Sequence, residues 1–342
     1  MQRHVIFLVH GMGVHPPGWS DDAWQTLQTA YNGLDRNHFW PWDEGFERVE
    51  IGYDDCFEAI RQRWREDAGA VLNQLGDAGL QKSALTTLAD TAKRLGEDHF
   101  VTTHILDVVL YWGLRTVREA VKTRVGRQIT DTLEQLPTGA PWSVVAHSLG
   151  TAVTHDTLHA LAVADGAAQT AVRRAQVLMT LANVSRTLQT DIRAYASRVR
   201  PAKAGQPGIV KRYLNVCHRW DPIPAFWPFE PHDDWPDASA RSDGRYREIT
   251  LTALSDGPNV HALEHHLRDP ACHVPLFREL TMPALIDDSE AEALRVDFLQ
   301  EHPQAPQDAA RRRLEKLARR KTGNHRDLII LLRDYFAEVH HA

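Results

Sequence analysis

Apolar positions recur along this chain with two different periods, and the alternation between them outlines a fold. Val5-Ile6-Phe7-Leu8-Val9 is a short unbroken apolar run with polar residues before and after it, the pattern of a strand buried on both faces. Asp21-Asp22 open a helix through Trp24, Leu27, Ala30 and Tyr31, and Phe46 to Tyr53 then alternates apolar with polar residues as a second strand. From Cys56 to about Leu136 the spacing is helical throughout. Ile60, Trp64, Ala68, Val71, Leu72 and Leu75 form one stripe, Leu85, Leu88, Ala92 and Leu95 another, and Ile105 to Leu136 the longest. Val144-Val145-Ala146 returns to a strand, and Thr151, Ala152, Val153, Leu158 and Leu161 continue it as a helix. Ala175 to Leu181, Val210 to Val216 and Arg247 to Leu254 read as further strands, with a helix expected over Leu188 to Val199. Strands alternating with helices predict an α/β architecture, a doubly wound and mostly parallel sheet.

Beyond Pro283 the pattern changes. An acidic helix is expected over Ser289 to Gln300, a strongly basic segment over Arg311 to Lys321, and a closing helix with apolar positions at Leu328, Leu331, Leu332, Tyr335 and Val339. The expected organisation is a main domain over 1–283, with a helical insertion at roughly 56–136, and a helical extension over 284–342. That extension is either packed on the main body or free for a protein partner or self-association.

Composition narrows the function classes. A net charge of −6 over 342 residues does not supply the basic face that a phosphate backbone demands, so no nucleic-acid partner is expected. Cys56, Cys217 and Cys272 have unrelated spacings and form neither a disulfide framework nor a zinc motif, which fits a reducing cytoplasmic setting. The first apolar run is too short for a secretory core. The stretch Ile105 to Leu114 is interrupted by Asp107 and Gly113, so no transmembrane segment is expected.

The candidate chemistry centres on Val144-Val145-Ala146-His147-Ser148-Leu149-Gly150. A strand that turns sharply into a helix holds its central residue in a strained conformation and demands small residues two positions either side. Ala146 and Gly150 meet that demand. The turn lifts the Ser148 hydroxyl above the sheet and lets the Leu149 N–H point at an oxyanion. A serine hydroxyl also needs a base and an orienting carboxylate. Asp221 follows the strand ending near Val216 and precedes Pro222-Ile223-Pro224, which would fix its carboxylate, although Asp-Pro also opens ordinary turns. Asp233, Asp234 and Asp237 lie further along the same loop. After the last strand comes Val260-His261-Ala262-Leu263-Glu264-His265-His266. His261 is the first candidate base and His266 the alternative. His261 and His265 are four apart and would share a helix face, but no further ligand completes a metal site there.

These residues resemble the nucleophile elbow of the α/β-hydrolase superfamily, with Ala146 where the usual pattern has its first Gly. The chain order serine, acid, histidine also resembles that of lipase- and esterase-like members, over residues 5 to about 280. The resemblance implies that His10-Gly11-Met12-Gly13 is the oxyanion loop, with Met12 N–H as second donor. It further implies that Ser148, Asp221 and His261 hydrolyse a small-molecule or lipid carboxylic ester without a cofactor. A chain that kept the fold and lost the activity, acting as a scaffold through its C-terminal helices, is the alternative. Trp19, Trp220, Phe226, Trp227, Phe229 and Trp235 lie in loops expected to border the site, where they either pack against the body, the commoner case, or bind an acyl chain, which favours lipid-like or medium-chain groups.

Overall fold

A computed structural model of the chain describes residues 2–34, 40–95, 100–164, 174–202, 208–231, 244–255, 259–281, 286–302, 308–318 and 324–340. Its centre is a six-stranded sheet in the order β2-β1-β3-β4-β5-β6, with every pair of neighbours parallel. The strands are β1 (His4–Val9), β2 (Phe46–Ile51), β3 (Trp142–His147), β4 (Ala175–Leu181), β5 (Val210–His218) and β6 (Tyr246–Leu251). The central residues of β1, β3, β4 and β5 are buried because helices cover both faces, as an all-parallel sheet requires, whereas the edge strands β2 and β6 are partly exposed.

One face is covered by α1 (Asp21–Asn32), the single turn α2 (Trp42–Gly45), α10 (Leu263–Arg268) and α11 (Pro270–Leu280), with α12 (Asp288–Glu301) packed outside α11. The opposite face carries α3 (Asp55–Glu66), α4 (Ala68–Asp77), α5 (Lys82–Leu95), α6 (Phe100–Gly113), α7 (Arg115–Gln135) and α8 (Leu149–Ala164). A single turn α9 (Pro222–Ala225) follows β5. The chain ends in α13 (Asp308–Ala318) and α14 (His325–His340).

Chain order places the strand-order reversal between β1 and β3, since β2 lies outside β1 and the later strands extend the other way. Loops leaving the C-terminal ends of β1 and β3 diverge at such a reversal and leave a crevice between them. The loop after β1 begins at His10 and the turn after β3 is Ser148, so both candidate segments meet there.

One expectation is corrected. Leu188 to Val199 is a series of turns rather than a helix. Side chains satisfy its backbone instead: Ala194 N–H donates to Gln189 Oε1 (3.1 Å), Arg198 N–H to His159 Nδ1 (3.0 Å) and Val199 N–H to Ser197 Oγ (3.1 Å). Of the two placements open to the C-terminal segment, its last helix takes the one packed on the body. α14 packs against α5 and α6, and its Leu328, Leu331, Leu332 and Tyr335 are buried in the same apolar cluster as the helices of 55–135.

Candidate active site

Ser148 is the residue between β3 and α8, and its φ of 51° is left-handed. A non-glycine residue held there costs on the order of 1–3 kcal/mol, which the surrounding structure must offset. Ser148 N–H donates to Leu181 O (2.9 Å), and its carbonyl accepts from Thr151 N–H (2.9 Å) and Thr151 Oγ (2.7 Å). The size requirement at Gly150 is strict: a Cβ there would lie 2.1 Å from His10 O and 2.8 Å from Val9 O. Ala146 is buried without such conflict. The elbow is therefore pressed directly onto the end of β1.

From that turn a continuous hydrogen-bond chain runs through three segments. Ser148 Oγ lies 2.7 Å from His261 Nε2, and His261 Nδ1 lies 2.7 Å from Asp221 Oδ2. With Asp221 as acceptor, Nδ1 carries the proton and Nε2 presents its lone pair to the serine hydroxyl. The second Asp221 oxygen accepts from Ile223 N–H (3.0 Å), so the Asp-Pro turn caps α9 and fixes the carboxylate at once. Burial works to raise the Asp221 carboxyl, but the neighbouring His261 charge and hydrogen bond outweigh it and hold the group below its ordinary range. Asp233, Asp234, Asp237 and Trp235 lie outside the described residues.

The other histidines play different parts. His266 Nδ1–H donates to Ala262 O (2.9 Å) and His265 is tied to Ala253 O (3.0 Å through Nε2), so neither is hydrogen-bonded to Ser148. Burial lowers His266 to about 4 and His218 to about 3, leaving both neutral near neutrality. His147 donates from Nε2 to His261 O at 2.5 Å, bracing the carbonyl of the residue that meets the serine. Burial, followed by the nearby His261 and His266, drives its pKa well down.

The His261 backbone is braced from a third direction. Its N–H donates to Tyr335 Oη on α14 (3.1 Å), and that hydroxyl donates to Asn259 Oδ1 (3.2 Å). Sequence reading missed Tyr335, treating it only as one position of an apolar stripe. The signal available was a tyrosine at a fully buried stripe position, where the hydroxyl must find a partner.

The loop after β1 is held by a second missed pair. Arg61 on α3 and Asp107 on α6 are buried and joined by two bonds, Nε to Oδ1 (2.8 Å) and Nη2 to Oδ2 (2.6 Å). The pair grips Gly13 from both sides: Gly13 N–H donates to Asp107 Oδ2 (2.8 Å) and Gly13 O accepts from Arg61 Nη2 (3.0 Å). Gly13 has φ 105°, and a Cβ on it would meet the His104 ring at 2.7 Å. A charge inside the otherwise apolar stretch Ile105 to Leu114 was the visible trace of this clamp. Neither Met12 N–H nor Leu149 N–H has a hydrogen-bond partner among the described residues.

A cavity of about 280 Å³ opens over Ser148. Its walls include Met12, Trp19, His147 and His261, together with Phe100 and His104 of α6 and Phe336 of α14. The helical region and the C-terminal helix thus share one wall. The described aromatic residues of the acid loop do not line it: Trp220, Phe226 and Phe229 are buried in the core, and Trp227 packs against the same cluster. Among the described residues of the expected aromatic border, Trp19 alone reaches the cavity.

Neither a family model, nor a curated protein, nor a solved structure matches this chain.

Proposed function

We propose that this chain is a serine hydrolase of the α/β-hydrolase kind that cleaves carboxylic esters through an acyl-enzyme. The observation that carries the reading is the unbroken chain Asp221–His261–Ser148, with both links at 2.7 Å, ending on a serine held at a left-handed strand-to-helix turn. Each part has a step to perform. As Ser148 Oγ attacks the acyl carbon, its proton passes to His261 Nε2, and Asp221 stabilises the imidazolium and keeps the ring in the tautomer that can accept. The carbonyl oxygen gains charge as the tetrahedral adduct forms, and the Met12 and Leu149 N–H groups, without a partner among the described residues, are the donors offered to it. His261 then returns its proton to the leaving alkoxide. Water repeats the sequence on the acyl-serine and releases the acid. The six-stranded parallel sheet, with its reversal between β1 and β3, supports the same reading.

The cavity supports a compact ester. Pockets that enclose a drug-sized ligand span about 300–1,000 Å³, and this one, at about 280 Å³, lies just below that range. The expectation of medium chains rested on Trp19, which reaches the cavity, and on acid-loop aromatics, of which the described ones pack in or against the core; with this small a space we expect the acyl profile to favour short chains such as acetate and butyrate. Its measurement is kcat/KM across p-nitrophenyl esters, and a steady rise to long chains would reverse it. A serine-reactive fluorophosphonate tests the chemistry itself. Stoichiometric labelling of wild type and none of Ser148→Ala is the expected result; no labelling of folded wild type would refute the reading.

A further inference from the structure

Beside the serine site is a cluster that the hydrolytic reading does not use. His10 is 1% exposed, and its ring is fixed between stacked partners, with centroids 4.1 Å from His15 and 4.0 Å from Tyr53. Its Nδ1–H donates to Gly11 O (2.9 Å), which leaves Nε2 as a bare lone pair. That nitrogen is buried, has no hydrogen-bond partner among the described residues, and faces Asp54 Oδ2 at 3.5 Å. Asp54 Oδ1 is likewise buried without a hydrogen-bond partner. Two acceptors facing one another repel unless something positive lies between them.

A proton does not fill this role well. An imidazolium N–H would have to bridge 3.5 Å, beyond the usual 2.7–3.2 Å of such bonds. A metal ion suits the spacing better. His15 Nδ1 is 3.9 Å from Asp54 Oδ2, and the three ligand atoms all lie within 4.8 Å of one another. Metal–ligand bonds of about 2.0–2.2 Å in a tetrahedron put neighbouring ligand atoms about 3.3 Å apart. The His10–Asp54 edge is close to that already. His15 is about a quarter exposed and is the ligand free to swing in, exchanging its long 3.3 Å contact with Gly13 O for the metal.

We propose that His10 Nε2, His15 Nδ1 and an Asp54 carboxylate oxygen bind one divalent cation of the zinc class, which pins the 10–15 loop to the corner between β2 and α3. Two imidazoles and one carboxylate are a donor set for zinc rather than for calcium or magnesium, which take oxygen ligands. Charge permits it. Arg61 Nη2 lies 3.5 Å from Asp54 Oδ1, but its charge is matched by Asp107, so the group retains the negative charge of Asp54. The outer contacts are those that orient metal ligands: His10 gives its other ring N–H to a carbonyl, and Asp54 Oδ2 accepts from His15 N–H at 2.9 Å. His10 and His15 both line the cavity, so the fourth position faces solvent or a bound ligand. His10 and His15 come from one loop and Asp54 from the segment after β2, so no spacing in the sequence announces the set.

The test uses the full chain stripped with a chelator and titrated with zinc chloride against a chromophoric competitor. Nineteen histidines make weak surface binding certain, so affinity relative to variants is the readout. One tight site is expected in wild type, at least a hundredfold weaker in both His15→Ala and Asp54→Asn, with unchanged far-UV circular dichroism. Zinc should raise the melting temperature of wild type and not of the variants, and magnesium should not compete. Cobalt(II) added to unaltered wild type supplies a readout independent of any variant, the visible absorption of a four-coordinate ion at one equivalent. Wild-type zinc affinity no greater than that of His15→Ala and Asp54→Asn, or cobalt bound only as the hexa-aqua ion, would overturn the proposal. Neither measurement depends on ester cleavage or on labelling of Ser148.

Discussion

Ser148 and His261 share one hydrogen bond, yet the protein holds them in opposite ways. Ser148 is positioned by its own neighbours: β3 runs in, α8 runs out, and the small residues Ala146 and Gly150 let the turn close. His261 sits in a segment without regular structure and is located by groups far away in sequence. Asp221 takes its Nδ1–H, His147 holds its carbonyl and Tyr335 holds its N–H from α14. A local arrangement is robust to changes elsewhere and fragile to changes within it. A distributed arrangement is the reverse, with each support contributing a modest share.

The largest expected effect is on the local side. Ser148→Ala should lower ester turnover by at least about 10⁴-fold, because the members of such a relay act as a unit. Its melting temperature should stay within a few degrees of wild type. Retained wild-type turnover in the purified variant would remove Ser148 from the chemistry and end the comparison. Next in size is the clamp on the β1 loop. Asp107→Ala removes both short bonds to Arg61 and leaves its buried guanidinium only the longer Asp54 (3.5 Å) and Glu58 (3.7 Å) contacts, which should destabilise by about 3 kcal/mol in urea unfolding. A loss below about 1 kcal/mol would mean that Gly13 is held in place by other contacts.

The two modes of support also explain what could be read from the sequence. The elbow was legible because strand, turn and helix follow one another within seven residues, each with its own composition signal. Asp221 and His261 were legible by their order and by their place after strands. Tyr335, Arg61 and His10 with Asp54 were not, because their roles arise from contacts between segments that periodicity treats as separate. The same blindness made residues 284–342 look like an appendage. Apolar spacing showed that α14 has a buried face but not that it covers α5 and α6. It likewise could not show that the acid-loop aromatics turn inward to the core.

Acid should weaken the distributed side. His266 and His218 are neutral in the fold, lowered by burial to about 4 and about 3 from an ordinary 6.5. The unfolded chain binds protons below 6.5 that the folded chain does not. Their contribution is therefore complete above pH 6.5 and is lost as pH falls from there toward 4 and 3. At about 1.4 kcal/mol per pH unit per group, the two together account for a loss of about 4 kcal/mol by pH 5. His4, His15, His104 and His273 are lowered by burial in the same way and add to the total, so the part of the pH 7 to pH 5 loss in urea unfolding that His266→Gln removes measures the share of that ring. Equal stability at the two pH values would mean that these rings are protonated in the fold or accessible to water.

The smallest effect is the most telling about the comparison. Tyr335→Phe keeps the ring that packs in the core and deletes only the hydroxyl between His261 N–H and Asn259. The stability loss should be about 1–3 kcal/mol, the usual result of leaving a buried donor without its acceptor. The loss in turnover should be larger than the loss in binding, because the hydroxyl touches the segment carrying His261 and does not line the cavity. We expect kcat to fall about five- to tenfold with KM little changed, and fluorophosphonate labelling of Ser148 to slow in proportion. Phe336→Ala, one residue on, removes a cavity wall and should instead raise KM. If Tyr335→Phe left kcat at the wild-type value, the Asp221 and His147 contacts alone would suffice to hold His261. The C-terminal helix would then serve the site only as a wall.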